Sequence, residues 1–186
     1  MQDHPHSDVL SPTESVPAPA AFLDRDGVLN KDIGYAHRAD QIDWVEGAAE
    51  AVRRLNATGF RVFVVTNQSG IARGLYSSEA VDSLHWWMAE ILRRRGARID
   101  DWRYCPYHPD HQAERFADKA SWRKPAPGML LDLMRHWPVD RDRSFLIGDR
   151  SSDIEAAQAA GIAGHLFAGG NLEAFVAAIL DDREAD

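Results

Sequence analysis

Two aspartates, Asp24 and Asp26, flank one arginine directly after the apolar run Ala21-Phe22-Leu23, and Gly27 follows. An extended chain repeats every two residues, so both carboxylates leave one face and Arg25 points away. Like charges at that spacing repel unless a cation lies between them. Oxygen donors suit a hard divalent metal, most simply Mg²⁺. One carboxylate could then attack an electrophile while its neighbour moves a proton. Taken alone, the same residues also read as a strand end followed by a polar turn.

Other segments carry compatible chemistry. Thr66-Asn67-Gln68-Ser69-Gly70 offers a hydroxyl, two side-chain amides and a run of backbone N–H groups, which suits phosphate oxygens. By itself it is also an ordinary turn after a strand. Arg123-Lys124-Pro125 sets two cations before a helix start, in a chain with only three lysines among its 21 basic residues. A compact ammonium suits a nucleophilic carboxylate and a phosphoryl oxygen together; the plain alternative is a solvated pair. Gly148-Asp149-Arg150-Ser151-Ser152-Asp153 adds two acids. Asp149 suits a metal site, whereas Asp153 reads equally as a helix cap or a metal support.

These residues need elements to position them. Residues 21–23, 61–66 and 144–147 are apolar runs that read as buried strands, with shorter strands expected at 101–105 and 164–167. Helices are expected over 46–58, ended by Gly59, and from a Ser77 or Ser78 cap along Val81, Leu84, Met88, Ile91 and Leu92. Further helices are expected at 127–136, 153–160 and 172–180. Alternating strands and helices predict an α/β fold, a doubly wound, three-layer Rossmann-like domain around a parallel sheet. Ligands bind such sheets at the carboxyl ends of the strands, where Asp24, Asp26, Thr66, Asn67, Gly148 and Asp149 all fall. The gaps between these segments are too short for an independent cap domain.

The chain has 186 residues, 45% hydrophobic content and a net charge of −8. That fits one domain and disfavours nonspecific binding to nucleic acid or an anionic membrane. One cysteine excludes an intrachain disulfide. Residues 1–19, rich in Pro, Ser and acids, read as a disordered leader to a domain over 20–186. With no secretory or membrane-spanning pattern, a cytoplasmic, monomeric protein is expected.

In order, Asp24-Arg25-Asp26-Gly27-Val28, Thr66, Lys124 and Gly148-Asp149 with Asp153 resemble the haloacid dehalogenase superfamily of aspartyl-phosphate phosphatases. Gly34-Tyr35, Ile71-Ala72-Arg73-Gly74, Cys105-Pro106, His108-Pro109 and Pro127-Gly128-Met129-Leu130 extend the resemblance to its D-glycero-D-manno-heptose 1,7-bisphosphate phosphatases. The related histidinol-phosphate phosphatases share much of this pattern. The resemblance implies that Asp24 is the nucleophile and that Asp26 protonates the leaving oxygen and then activates water. It implies Mg²⁺ on Asp24, the Asp26 carbonyl and Asp149, with Thr66 and Lys124 on the phosphoryl oxygens. It further implies sugar-phosphate contacts from Asp32, Ile33, Gly34, Tyr35, Asn67, Gln68, Ser69, Arg123 and Arg150. Many of these phosphatases carry a zinc loop of Cys-x-His and Cys-x-Cys. Here Cys105 remains, but Tyr107, Ala120 and Trp122 stand at the other positions. One thiolate does not close a four-ligand site, so no zinc is expected, and packing of Tyr107, Phe116 and Trp122 should hold the loop. The resemblance implies a small sugar-phosphate substrate, with removal of the 7-phosphate of D-glycero-D-manno-heptose 1,7-bisphosphate as the expected reaction. Histidinol phosphate is the alternative, and a non-catalytic phosphosugar-binding protein is the competing class.

Overall fold

A computed structural model describes residues 16–184. The expected leader over 1–19 therefore lies largely outside the described residues. Its last two residues do not belong to a leader, because β1 (Ala18–Leu23) begins at Ala18. That strand is followed by α1 (Ala48–Ala57), β2 (Arg61–Asn67), α2 (Ser78–Arg94) and β3 (Asp101–Cys105). Then come α3 (Gly128–His136), β4 (Val139–Gly148), α4 (Ser151–Ala160), β5 (Ala163–Leu166) and α5 (Leu172–Glu184). The five strands form one sheet, ordered β3-β2-β1-β4-β5, and every pairing is parallel. β1 sits at its centre, where the chain order reverses and a crevice opens at the carboxyl ends.

Alternation along the strands divides the core into two layers. Ala21, Leu23, Val62, Val64, Phe145 and Ile147 face the side covered by α1, α2 and α5. Ala20, Phe22, Phe63, Val65 and Leu146 face the side covered by α3 and α4. Covering both faces is what makes these strands continuous apolar runs. In α2 the Ser77 hydroxyl caps the helix by accepting from Ala80 N–H. The stripe behind it differs from the expected one: His85 is buried and Ile91 only half-buried.

Two connections matter for the site. Residues 31–47 hold only a loop and a 3-10 turn at Ala39–Gln41, and residues 106–127 hold a loop and a 3-10 stretch at Ala113–Trp122. In the second, Tyr107 and Trp122 pack on the core beside α3 and α4, while Phe116 does not. Cys105 is buried, and its thiol donates to the Lys119 carbonyl at 3.3 Å. Burial pushes that thiol up to about 11. No described helix is long and apolar enough to cross a membrane.

Candidate active site

The strand stops at Leu23, so the two-residue alternation does not extend through the aspartates. Asp24 N–H donates to the Ile147 carbonyl at 2.9 Å, and the chain then turns through Arg25–Leu29. As a result the two carboxylates part company. Asp24 turns toward Lys124: its Oδ2 lies 2.8 Å from Lys124 Nζ, and its Oδ1 accepts the Arg25 N–H at 2.7 Å. Asp26 instead pairs with the Arg25 guanidinium at 2.8 Å. The expectation that Arg25 points away is therefore wrong. Arg25 is wholly buried, and it answers the repulsion that had suggested a metal between the two carboxylates.

A side-chain cluster that could hold a metal forms around Asp24. Asp24, Asp149 and Asp153 each place a carboxylate oxygen within 4.8 Å of the others. Asp149 Oδ1 is buried and has no hydrogen-bond partner. An all-oxygen, acidic set with an unpartnered buried oxygen fits Mg²⁺. The helix-cap reading of Asp153 holds. Its Oδ2 accepts the Arg150 N–H at 3.1 Å, capping α4, and its Oδ1 lies 2.5 Å from Lys124 Nζ. Two glycines make room for this packing. A Cβ on Gly27, whose φ is +86°, would lie 2.3 Å from Asp149 Oδ2. A Cβ on Gly148 would lie 2.1 Å from that of Asp153.

The electrostatics follow from burial. Burial pushes the Asp24 carboxyl up to about 7; Lys124 opposes this and Asp153 adds to it. Burial alone would lower Lys124, but Asp24 and Asp153 hold it above its ordinary value. Asp149 is raised by burial, against the pull of Arg150. A divalent cation in this cluster would favour the charged forms of Asp24 and Asp149.

A cleft of about 510 Å³ opens over Asp24. Asp26, Asp32, Gly34, Tyr35, Thr66, Asn67, Gln68, Ser69, Arg123, Lys124 and Arg150 line it. Ile33 does not; its side chain is exposed to solvent. Two other residues touch the cleft but spend their side chains on the protein. The Asn67 amide exchanges two hydrogen bonds of 3.1 Å with the Lys124 backbone. Gln68 is buried and donates to Thr66 Oγ1 at 2.9 Å and to Asp26 Oδ2 at 3.0 Å. At the rim Arg150 pairs with Asp32 at 2.6 Å. Tyr76 and His85 belong to none of the sequence motifs. Tyr76 lines the cleft and donates to Gln68 Oε1 at 2.9 Å, and His85 meets Arg25 at 3.2 Å.

A buried carboxylate against a buried ammonium, with an acidic trio at the strand ends of a parallel sheet, defines a phosphatase of the haloacid dehalogenase type. A haloacid dehalogenase-like hydrolase model matches residues 21–85, and a related HAD-hydrolase-like model matches 121–181. The D-glycero-β-D-manno-heptose-1,7-bisphosphate 7-phosphatase of Rhodopseudomonas palustris is 50% identical over 169 residues, 90% of this chain and 94% of its own. A D,D-heptose 1,7-bisphosphate phosphatase from B. bronchiseptica, solved with magnesium and phosphate, is 34% identical with a TM-score of 0.73, over 86% of each chain. A HAD-like phosphatase from Mesorhizobium loti is 36% identical with a TM-score of 0.77, over 83% of this chain and 75% of its own. The chain belongs to this family of heptose bisphosphate phosphatases.

Proposed function

We propose that the protein is a Mg²⁺-dependent phosphomonoesterase that removes the 7-phosphate of D-glycero-D-manno-heptose 1,7-bisphosphate through an aspartyl-phosphate on Asp24. We take it to work as a single-domain monomer in the cytoplasm, without zinc. The observation that carries the chemistry is Asp24 itself: it is buried against Lys124 at 2.8 Å and lies in the acidic trio on the cleft floor. Binding alone would not need that arrangement. The substrate for which the protein's relatives are named and the rim cations Arg123 and Arg150 support the sugar bisphosphate.

A carboxylate oxygen of Asp24 attacks phosphorus, and the ester oxygen leaves with a proton from Asp26. Water then attacks the aspartyl-phosphate and gives its proton to Asp26, so inorganic phosphate departs and Asp24 is restored. Lys124 and the Thr66 hydroxyl hold the phosphoryl oxygens, where positioning and charge neutralisation supply most of the catalysis. Asp24, the Asp26 carbonyl and Asp149 would hold Mg²⁺, which would neutralise charge on the transferring group.

The test is Mg²⁺-dependent phosphate release from the heptose bisphosphate, histidinol phosphate and a panel of other sugar phosphates. We expect the heptose bisphosphate to be fastest, with release abolished by chelator. Equal rates across the panel would overturn the substrate. Binding without any release would favour the non-catalytic class.

Gly27→Ala bears on the metal separately. The new Cβ displaces Asp149, so the Mg²⁺ concentration for half-maximal activity should rise about 10- to 100-fold, the range seen when a ligand's support is removed. An unchanged Mg²⁺ requirement would take Asp149 out of the metal site.

A further inference from the structure

The Asp26 carboxylate is held by a shell of buried side chains that the chemistry above leaves without a role. Its Oδ1 accepts from Asn30 Nδ2 at 2.9 Å and from Arg25 Nη2 at 3.1 Å. Its Oδ2 accepts from Arg25 Nη2 at 2.8 Å and from Gln68 Nε2 at 3.0 Å. Donors on both oxygens from two directions leave the carboxylate one orientation.

Each main donor is itself held from behind. Arg25 Nη2 donates to the Ala36 carbonyl at 2.7 Å, and Nη1 lies 3.2 Å from His85 Nε2. A guanidinium only donates, so Nε2 must accept and the His85 proton must sit on Nδ1. Burial, and then Arg25, hold His85 well below its ordinary value, which keeps it neutral and able to accept. The imidazole stacks on Trp102 with ring centres 4.6 Å apart, which fixes its plane. On the other side, Tyr76 OH donates to Gln68 Oε1 at 2.9 Å. That fixes the amide so that its N–H groups point to Asp26 and Thr66. His37 stacks on the Tyr76 ring at 4.7 Å.

We propose that His85, acting through Arg25, and Tyr76, acting through Gln68, are positioning residues that orient Asp26 for proton transfer to the leaving group. A fully buried guanidinium is costly unless every donor is used, and Arg25 spends its donors on Asp26 and on the groups that fix it. Gln68 is accordingly a positioning residue and not a ligand for the sugar. The inference rests on the reading of Asp26 as the acid.

Leaving-group dependence separates positioning from bulk structure. An alkyl phosphate needs a proton on its departing oxygen, whereas an aryl phosphate such as p-nitrophenyl phosphate leaves largely without one. General acids contribute on the order of 10²- to 10⁴-fold. His85→Leu and Tyr76→Phe should therefore each lower kcat on the fastest alkyl phosphate of the panel by about 10- to 100-fold, a part of that range. The fall on the aryl phosphate should be far smaller, and His85→Gln, which keeps an acceptor, should recover most of the loss. Tyr76→Phe removes a single hydroxyl, so it carries the test if His85→Leu does not fold. A parallel fall on both substrates, or no fall, while Asp26→Asn remains selective for the alkyl phosphate, overturns the positioning role alone. If Asp26→Asn shows no such selectivity, the acid assignment falls and the positioning role with it.

Discussion

Lys124→Met should abolish measurable phosphate release and lower stability by about 3–5 kcal/mol, the cost of stranding a buried charge. Lys124 Nζ lies 2.8 Å from Asp24, 2.5 Å from Asp153 and 2.9 Å from the Val65 carbonyl, and it is almost wholly buried. Methionine fills the same volume without the charge. Two buried carboxylates would then face each other with no cation, so the loss exceeds that of a deleted surface pair. Catalysis should fall by about 10²- to 10³-fold or more from the phosphoryl-oxygen contact alone. Mg²⁺ should restore part of the stability, because it supplies positive charge to Asp24 and Asp153, but not the activity. Lys124→Arg should not rescue, since a planar fork does not fit where one nitrogen meets three oxygens. Denaturant unfolding with and without Mg²⁺ checks the first claim, and phosphate release checks the second. A variant as stable as wild type in chelator would mean that the native protein does not hold Asp24 in its charged form.

Much of this arrangement was legible in the sequence because strand periodicity and strand order are local and regular. The apolar runs 61–66 and 144–147 gave β2 and the inner half of β4, and the residues after them had to emerge at one sheet edge. Asp24, Thr66 and Asp149 are therefore placed at that edge by position as much as by type, whereas Lys124, ahead of a helix, is marked by residue type alone. What escaped was set by the turn after β1. Extrapolating the strand through Asp26 put Arg25 on the wrong side, because nothing local reveals that the strand ends at Leu23. The protein partners of Asn67 and Gln68 escaped for a related reason. An amide's partners, here a lysine backbone 57 residues away and a carboxylate 42 residues away, are settled only by tertiary packing. His85 lay on a helix stripe that otherwise reads as core. Its contact with Arg25 spans 60 residues and leaves no periodic trace.

Asp24→Asn should show no turnover, yet in chelator at pH 8 it should be more stable than wild type. The sign follows from where the proton sits. Burial raises the Asp24 carboxyl from an ordinary 3.8 to about 7 in the folded protein. The folded state thus binds this proton more tightly than the unfolded chain does. The contribution to stability is fully present below the unfolded value and is lost as pH rises through about 7. Asparagine has nearly the same shape, carries no charge at any pH and escapes that loss. At about 1.4 kcal/mol per unit, the advantage should reach about 2–4 kcal/mol above pH 7 and vanish near pH 4. Lys124 keeps Asp153 as its partner in the variant, so no new charge is stranded. Mg²⁺ should reverse the order, because it binds the charged wild-type carboxylate and stabilises only the state that holds it. Thermal melts at pH 4, 6 and 8, each with chelator and with Mg²⁺, resolve all of these terms. A less stable variant at pH 8 in chelator would show that the attraction of Lys124 for Asp24 outweighs the cost of burying its charge. The nucleophile would then be ionised before any metal arrives, and Mg²⁺ would serve the phosphoryl group rather than prepare the carboxylate.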